Sequence, residues 1–236
     1  MEQFEIKTLI PIKVNGVDIS FTNSSLFMVL AVVLATLVLG LCLRKRTLVP
    51  HAAQSVPEGL YEFVRGLLVE NVGAEGLKYF PFIFTLFTFV AFGNLLGLFP
   101  YAFTFTSHLT AVGSLSLLAL LVNIGIGIKK KKIKWLRTFL PKGIPFALAP
   151  LIVPIEMISF LSKPFSLTVR LVANMTVGHI MLKIIAGFIV GLGVFGAVPL
   201  LFDCGIICFE MFISLLQAFI YTVLSCIYLG DALHEH

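Results

Sequence analysis

From about Pro145 to Gly191 the chain is almost uninterrupted apolar sequence, and no other feature constrains the fold as strongly. As one helix rising about 1.5 Å per residue, the run would be roughly 65 to 70 Å long, against a bilayer hydrocarbon core of about 30 Å. It must be broken, bent or strongly tilted. Pro154 and Pro164 allow bends. The charges favour tilt as well, because Glu156, Lys163, Arg170, His179 and Lys183 would otherwise be spread through the depth of the bilayer.

Composition agrees. With 58 % hydrophobic residues over 236 positions, 23 of them Phe, and only 12 % charged, the chain is expected to be an all-α integral membrane protein. The mean hydropathy is +1.03. Residues 1–236 form a single membrane domain on this reading, since no low-complexity linker or internal repeat divides them. The net charge of +5 could suggest nucleic-acid binding, but the basic residues cluster beside apolar runs, where they encode membrane orientation. Nucleic acid is therefore excluded as a partner. Cys42, Cys204, Cys208 and Cys226 all fall in apolar runs without zinc-ribbon spacing and read as free, buried thiols.

Residues 26–43 are long enough for one transmembrane helix and end at Arg44, Lys45 and Arg46. The preceding segment, 1–25, holds Glu2, Glu5 and Asp18, lacks a basic leader, and is placed on the outer side before a permanent helix. A transmembrane pair over 80–128 follows, as runs from Phe80 to Phe105 and Leu109 to Ile128, stopped by Lys129 to Lys132. Both basic clusters lie inside if the N-terminus lies outside. The lysines read as topology markers, with anionic-lipid contact as the other reading. Between these spans, Ser55, Pro57 and Glu58 make a capping box with proline near the first helical position. Leu60, Phe63, Val64, Leu67 and Leu68 then form one face, and Glu58, Glu62, Arg65 and Glu70 much of the other. Residues 55–72 are thus expected as an amphipathic helix on the inner membrane surface.

The last unit, 145–232, is a long helix hairpin turning at Gly191, Gly193 and Gly196. Its second arm, from about Pro199 to Leu229, carries Asp203, Glu210, Ser214, Gln217 and Tyr221 at spacings that align them in one stripe. Such a stripe faces protein or water, not lipid. In an antiparallel hairpin, Arg170 and Gln217, His179 and Glu210, and Glu156 and Asp231 all pair about a centre near position 194. Helix phase puts Asn174 on the Arg170 face and His179 on nearly the opposite one. Three polar patches result.

Arg170 stands in the otherwise apolar run Ser-Leu-Thr-Val-Arg-Leu-Val-Ala-Asn-Met, from Ser166 to Met175. A cation near the bilayer centre costs about 2.5 to 3.5 kcal/mol, and arginine cannot escape by deprotonating. A fixed charge at depth implies a task. Spaced titratable groups imply a proton route: His179 can exchange protons near neutral pH and Glu210 can carry one, while Arg170 can only hold charge. A lone membrane histidine is otherwise a packing donor, and His179 opposite Glu210 argues against that. Lys163 and Lys183 read as snorkelling or structural cations, and Asp203 either extends the outer patch or does not. Gly191, Gly193 and Gly196 match a dinucleotide fingerprint literally but follow an apolar helix rather than a strand and lack a βαβ context, so they read as a turn. The tail, His234 to His236, reads as solvated chain rather than a metal site.

At these residues the sequence resembles a known family, subunit a (subunit 6) of the rotary F-type ATP synthase. The motif Arg-Leu-x-Ala-Asn-Met-x-x-Gly-His, within Ser166 to Ile180, is highly specific. Further similarity lies in Asn-Leu-Leu-Gly-Leu-Phe-Pro-Tyr (94–101), Thr-Ser-His (106–108), Tyr-Leu-Gly-Asp-Ala (228–232) and Phe-Thr-Asn-Ser-Ser-Leu-Phe (21–27). Val172, Thr176, Val177 and Gly230 depart from the usual pattern and bear on local packing.

The resemblance implies a strongly tilted, near-horizontal hairpin wrapping a rotating c-ring. Arg170 would face the ring carboxylates, with Asn174 and Gln217 beside it. His179 and Glu210, with Asp203, would line an outer proton half-channel, and Glu156 and Asp231 an inner one. The expected function is a stator subunit that couples proton translocation to rotation and ATP synthesis, with no cofactor and with protons as the transported ion. ATP chemistry itself lies elsewhere, since the chain has no phosphate-binding loop. Expected partners are the c-ring, the peripheral stalk and other Fo subunits, and membrane lipids, cardiolipin among them. The His/Glu order resembles mitochondrial and alphaproteobacterial members. The mitochondrial inner membrane is the expected location, with an alphaproteobacterial plasma membrane as the alternative. A secondary transporter of an anionic substrate and a purely structural subunit are the rival functions; the first predicts internal repeats, which are absent.

Overall fold

The computed structural model describes residues 7–11, 13–14, 17–18, 20–44, 47, 51–99, 102–131 and 149–233. Glu2, Glu5, Lys45, Arg46, Pro100, Tyr101, Lys132, the start of the long apolar run and the His234 to His236 tail lie outside the described residues.

Helices dominate, but two short antiparallel pairings come first: β1 (Thr8–Ile10) with β4 (Phe21–Thr22), and β2 (Lys13–Val14) with β3 (Val17–Asp18). Helix α1 (Asn23–Cys42) begins three residues ahead of the expected span. Its start is set by Thr22, whose Oγ1 accepts from the Ser25 N–H at 3.4 Å and so satisfies one donor of the first turn. Of its side chains only Ser24, Ala31 and Ala35 are buried, a narrow face of small residues. Leu26, Val29, Leu30, Val33 and Leu37 are exposed, as lipid contact requires.

Helix α2 (Ala52–Val72) corrects the capping-box expectation. It starts three residues before Ser55, its N-cap His51 makes no side-chain cap bond, and Pro57 lies inside the helix. Glu58 is engaged elsewhere: Gln54 Nε2 donates to its Oε1 at 2.7 Å. Ser55 Oγ instead donates back to the His51 carbonyl at 3.2 Å. The buried face also differs from the expected one, sharing with it only Val64 and Leu68. Gln54, Pro57, Val64, Leu68 and Val72 form it, whereas Phe63 is exposed.

Gly73, at φ +82°, turns the chain into a 3₁₀ segment (Ala74–Tyr79) and then α3 (Phe80–Gly97). The expected span to Phe105 is cut short, because a proline at 100 disfavours helix in the residue before it. A 3₁₀ turn (Phe105–Ser107) leads into α4 (Leu109–Lys131). Helix α5 (Ala149–Gly191) is continuous through both Pro154 and Pro164. A 3₁₀ turn (Gly193–Gly196) then reverses the chain into α6 (Ala197–Leu233). Gly193 has φ +53°, a conformation that favours glycine. Among the described residues, five helical stretches are long and apolar enough to cross a membrane.

Two compact units divide the chain. The first comprises Met1–Arg44, Thr88–Val112 and Arg170–Ala218. There, Ala31 packs with Phe103 and Phe105, and the Phe27 ring lies 6.1 Å from Phe103. The second comprises Lys45–Phe87, Gly113–Val169 and Phe219–His236. In it, Phe63 lies 6.0 Å from Phe87 and 5.9 Å from Phe219, and Asn123 Nδ2 donates to the Ser225 carbonyl at 3.5 Å. Tyr228 donates to the Phe160 carbonyl at 3.0 Å, and Ser116 Oγ meets Thr168 Oγ1 at 2.7 Å.

Candidate functional site

The first unit gathers most of the expected site. Helix α6 turns Glu210, Ser214 and Gln217 inward, all buried, with Asp203 half-buried one face-repeat earlier. The stripe read from spacing thus faces protein, and Tyr221 continues it in burial. Across from Glu210 stands Gly178, where a Cβ would meet the Glu210 carboxylate and force it to shift. Glu210 is 5 % exposed and His179 8 %.

The two do not hydrogen-bond. Neither Glu210 carboxylate oxygen has a hydrogen-bond partner among the described residues, and Asp203 Oδ1 and Gln217 Oε1 are likewise buried without one. His179 Nε2 instead meets Thr104 Oγ1 at 2.9 Å. Thr104 is a residue that sequence reasoning missed. It lies in the extended stretch between α3 and α4, where no periodicity marks an inward position. Asn94, within a recognised motif but given no role, also proves structural: it is fully buried and its Nδ2 donates to the Ser214 carbonyl at 3.1 Å, tying α3 to the polar stripe of α6.

Arg170 differs from all of these. Its side chain is exposed and makes no hydrogen bond or ion pair among the described residues, and Asn174, one turn on, is half-buried. The expected closeness of Arg170 to Gln217 is therefore not expressed as a bond. In the second unit Glu156 is exposed and Asp231 half-buried. Lys163 and Lys183 are exposed. Cys204 and Cys208 correct the expectation of four buried thiols: both are exposed on α6, where apolar neighbours such as Phe202, Ile207 and Phe209 are exposed too.

Outside the spans, His108 stacks on Phe103 with centroids 5.0 Å apart and planes at 15°. Its Nε2 is buried with no hydrogen-bond partner among the described residues, and burial holds the imidazole below its ordinary value.

Chemically, the first unit offers a buried carboxyl that can hold a proton, a buried imidazole that can exchange one, and a fixed cation left at the surface. Similarity to known proteins points the same way. The family model described as ATP synthase A chain matches residues 25–230. The chain is 53 % identical to the ATP synthase subunit a of Paramagnetospirillum magneticum, over 100 % of this chain and 98 % of that one. It is 52 % identical to that of Rhodospirillum rubrum, again over 100 % and 98 %, and 47 % identical to that of Mesorhizobium japonicum, over 99 % and 96 %. With its matched span covering nearly all the helical chain, this multi-pass membrane protein belongs to the ATP synthase A chain family.

Proposed function

We propose that the chain is the proton-channel stator subunit of an ATP synthase membrane motor. One observation carries the reading: in a single compact unit, the cation Arg170 is exposed while the carboxyl of Glu210 is buried with no hydrogen-bond partner among the described residues. A charge left available on a membrane helix suits an external carboxylate, and a buried carboxyl lacking a donor suits proton carriage.

A proton enters past His179 and Glu210, with Asp203 beside them, and neutralises a carboxylate of the c-ring. It leaves, after the ring has turned, toward Glu156 and Asp231. Arg170 attracts the returning carboxylate, favours its ionised form and sets a positive barrier between the two half-channels, with Asn174 and Gln217 shaping its surroundings. Protons then cross only with rotation. Each charge moved through 100 mV supplies about 2.3 kcal/mol, so several steps combine for one ATP.

The partners on this reading are the c-ring, the peripheral stalk, other Fo subunits and anionic lipid such as cardiolipin. No resident cofactor is required. The N-terminus lies on the outer side and α2 along the inner surface. The relatives named above are bacterial, which favours an alphaproteobacterial plasma membrane over the mitochondrial inner membrane.

The test is ATP-driven and passive proton flux in vesicles holding the assembled complex, native against Arg170→Ala at equal assembly. Loss of pumping with passive leak retained or increased supports a charge barrier. Unchanged pumping sinks the reading.

A further inference from the structure

The Thr104 hydroxyl meets two groups, the Gly97 carbonyl at 3.2 Å and His179 Nε2 at 2.9 Å, and has one hydrogen to give. Which group receives it decides whether His179 Nε2 accepts or donates in this contact. At the end of α3 the chain tightens into bonds three residues apart: Leu98 N donates to the Leu95 carbonyl and Phe99 N to that of Leu96. The next bond of the series would run from residue 100 to the Gly97 carbonyl. Residue 100 is proline and has no N–H. Thr104 Oγ1 takes that place, donating to Gly97. With its hydrogen committed, the oxygen offers His179 only lone pairs, so Nε2 must be the donor.

We infer that Thr104 is a positioning residue that holds His179 with Nε2 protonated, so that Nδ1 is the nitrogen that takes up and returns a proton. The exchange balances: Nδ1 accepts a proton to give the imidazolium and releases it again, while Nε2 keeps its hydrogen throughout. The role in transport rests on the proposed proton route; the tautomer does not.

The seat is closely built. Thr104 is 2 % exposed, and Ser107 Oγ donates to its carbonyl at 2.6 Å. A Cβ on Gly97 would fall 2.7 Å from Thr104 Cγ2, so only glycine lets the threonine approach the α3 terminus this closely. The charged and titratable side chains on α5 and α6 within this unit are Arg170, Lys183, Asp203, Cys204, Cys208 and Glu210, with His108 beside Phe103. None of them bonds the Thr104 hydroxyl.

The experiment is magnetic resonance of nitrogen-labelled histidine in the assembled, membrane-embedded complex, with the His179 signal assigned by its loss in His179→Asn. The native neutral ring is expected with Nε2 protonated and Nδ1 bare, a result that needs no variant at position 104. Thr104→Val, equal in shape but without the hydroxyl, should move the tautomer ratio toward Nδ1–H by about fivefold, the factor an ordinary hydrogen bond sets on an equilibrium, and Thr104→Ser should restore it. A native ring protonated at Nδ1, or an unchanged ratio in Thr104→Val, overturns the inference. Proton flux separates the two readings. Full ATP-driven uptake in His179→Asn would remove His179 from the route and leave the tautomer result standing.

Discussion

Tyr228 donates its hydroxyl hydrogen to the Phe160 carbonyl at 3.0 Å, and Phe160 lies four residues before Pro164. In an unbroken helix that carbonyl would receive the N–H of residue 164, which proline lacks. The tyrosine on α6 thus supplies a donor where the proline withholds one. Tyr228→Phe should lower the stability of the second unit by about 1 kcal/mol. Pro164→Ala in the same background should recover most of it by restoring the backbone donor. Thermal unfolding of the purified chain in matched detergent, across native, single and double variants, checks the pair; equal loss in single and double variants would contradict it.

Gly178 and Glu210 are coupled by space alone. Gly178→Ala puts a methyl where the carboxylate sits, so ATP-driven proton uptake is expected to fall about tenfold, the effect of displacing a proton-transfer group by a fraction of an ångström to an ångström. Shortening the acid in Gly178→Ala/Glu210→Asp should recover part of the rate. Flux in vesicles at equal assembly decides it, and a double variant no better than the single would argue that the glycine serves backbone packing.

Lys130 Nζ lies 2.5 Å from Glu75 Oε2, yet the side chains are 44 % and 65 % exposed. Exposed pairs of this kind contribute under about 1 kcal/mol and weaken with salt. Lys130→Ala should change thermal stability by no more than that, with the difference gone at high ionic strength. A larger, salt-insensitive loss in a melting series would show that the pair does more than the geometry implies.

His108 provides a pH signature outside the spans. Burial holds its folded value below the ordinary one, so above the ordinary histidine range neither state carries the proton and the effect vanishes. As pH falls through that range the unfolded segment binds a proton first, and the folded segment loses stability. Hydrogen-exchange protection of Ala102 to Ser107, corrected for intrinsic rates, should drop between about pH 7 and pH 5. The drop should be absent in His108→Phe.

How far the sequence could be read depended on whether the signal was local. Glycines at 191, 193 and 196 and the seven-and-four spacing of the α6 stripe are local, and both the turn and the buried stripe stand where they were expected. The capping box at Ser55 was local too, but its Glu58 is drawn to Gln54, and the helix starts a turn earlier. Thr104 could not be found by periodicity, since its partner His179 is 75 positions away. The available clue was Pro100, three residues past Gly97, which withholds a donor from a helix end. The four strands had a clue as well: Asn15 and Gly16, between two valines, are a favoured hairpin pair. Arg170 was legible as a charge in apolar sequence, and its exposure rather than any bond is what the fold added.

Gly178 and Glu210 are equidistant from position 194, as are Phe160 and Tyr228. The register of the hairpin is therefore set from its turn, and this decides where the chain can change length. One residue inserted into either arm would rotate everything beyond it by about 100° and swing a buried acid or a bonding tyrosine toward the wrong face. One residue inserted at Gly193–Gly196 would lengthen the loop and leave both docked pairs in phase. Insertions and deletions in natural or designed variants of this chain should accordingly collect at that single bend.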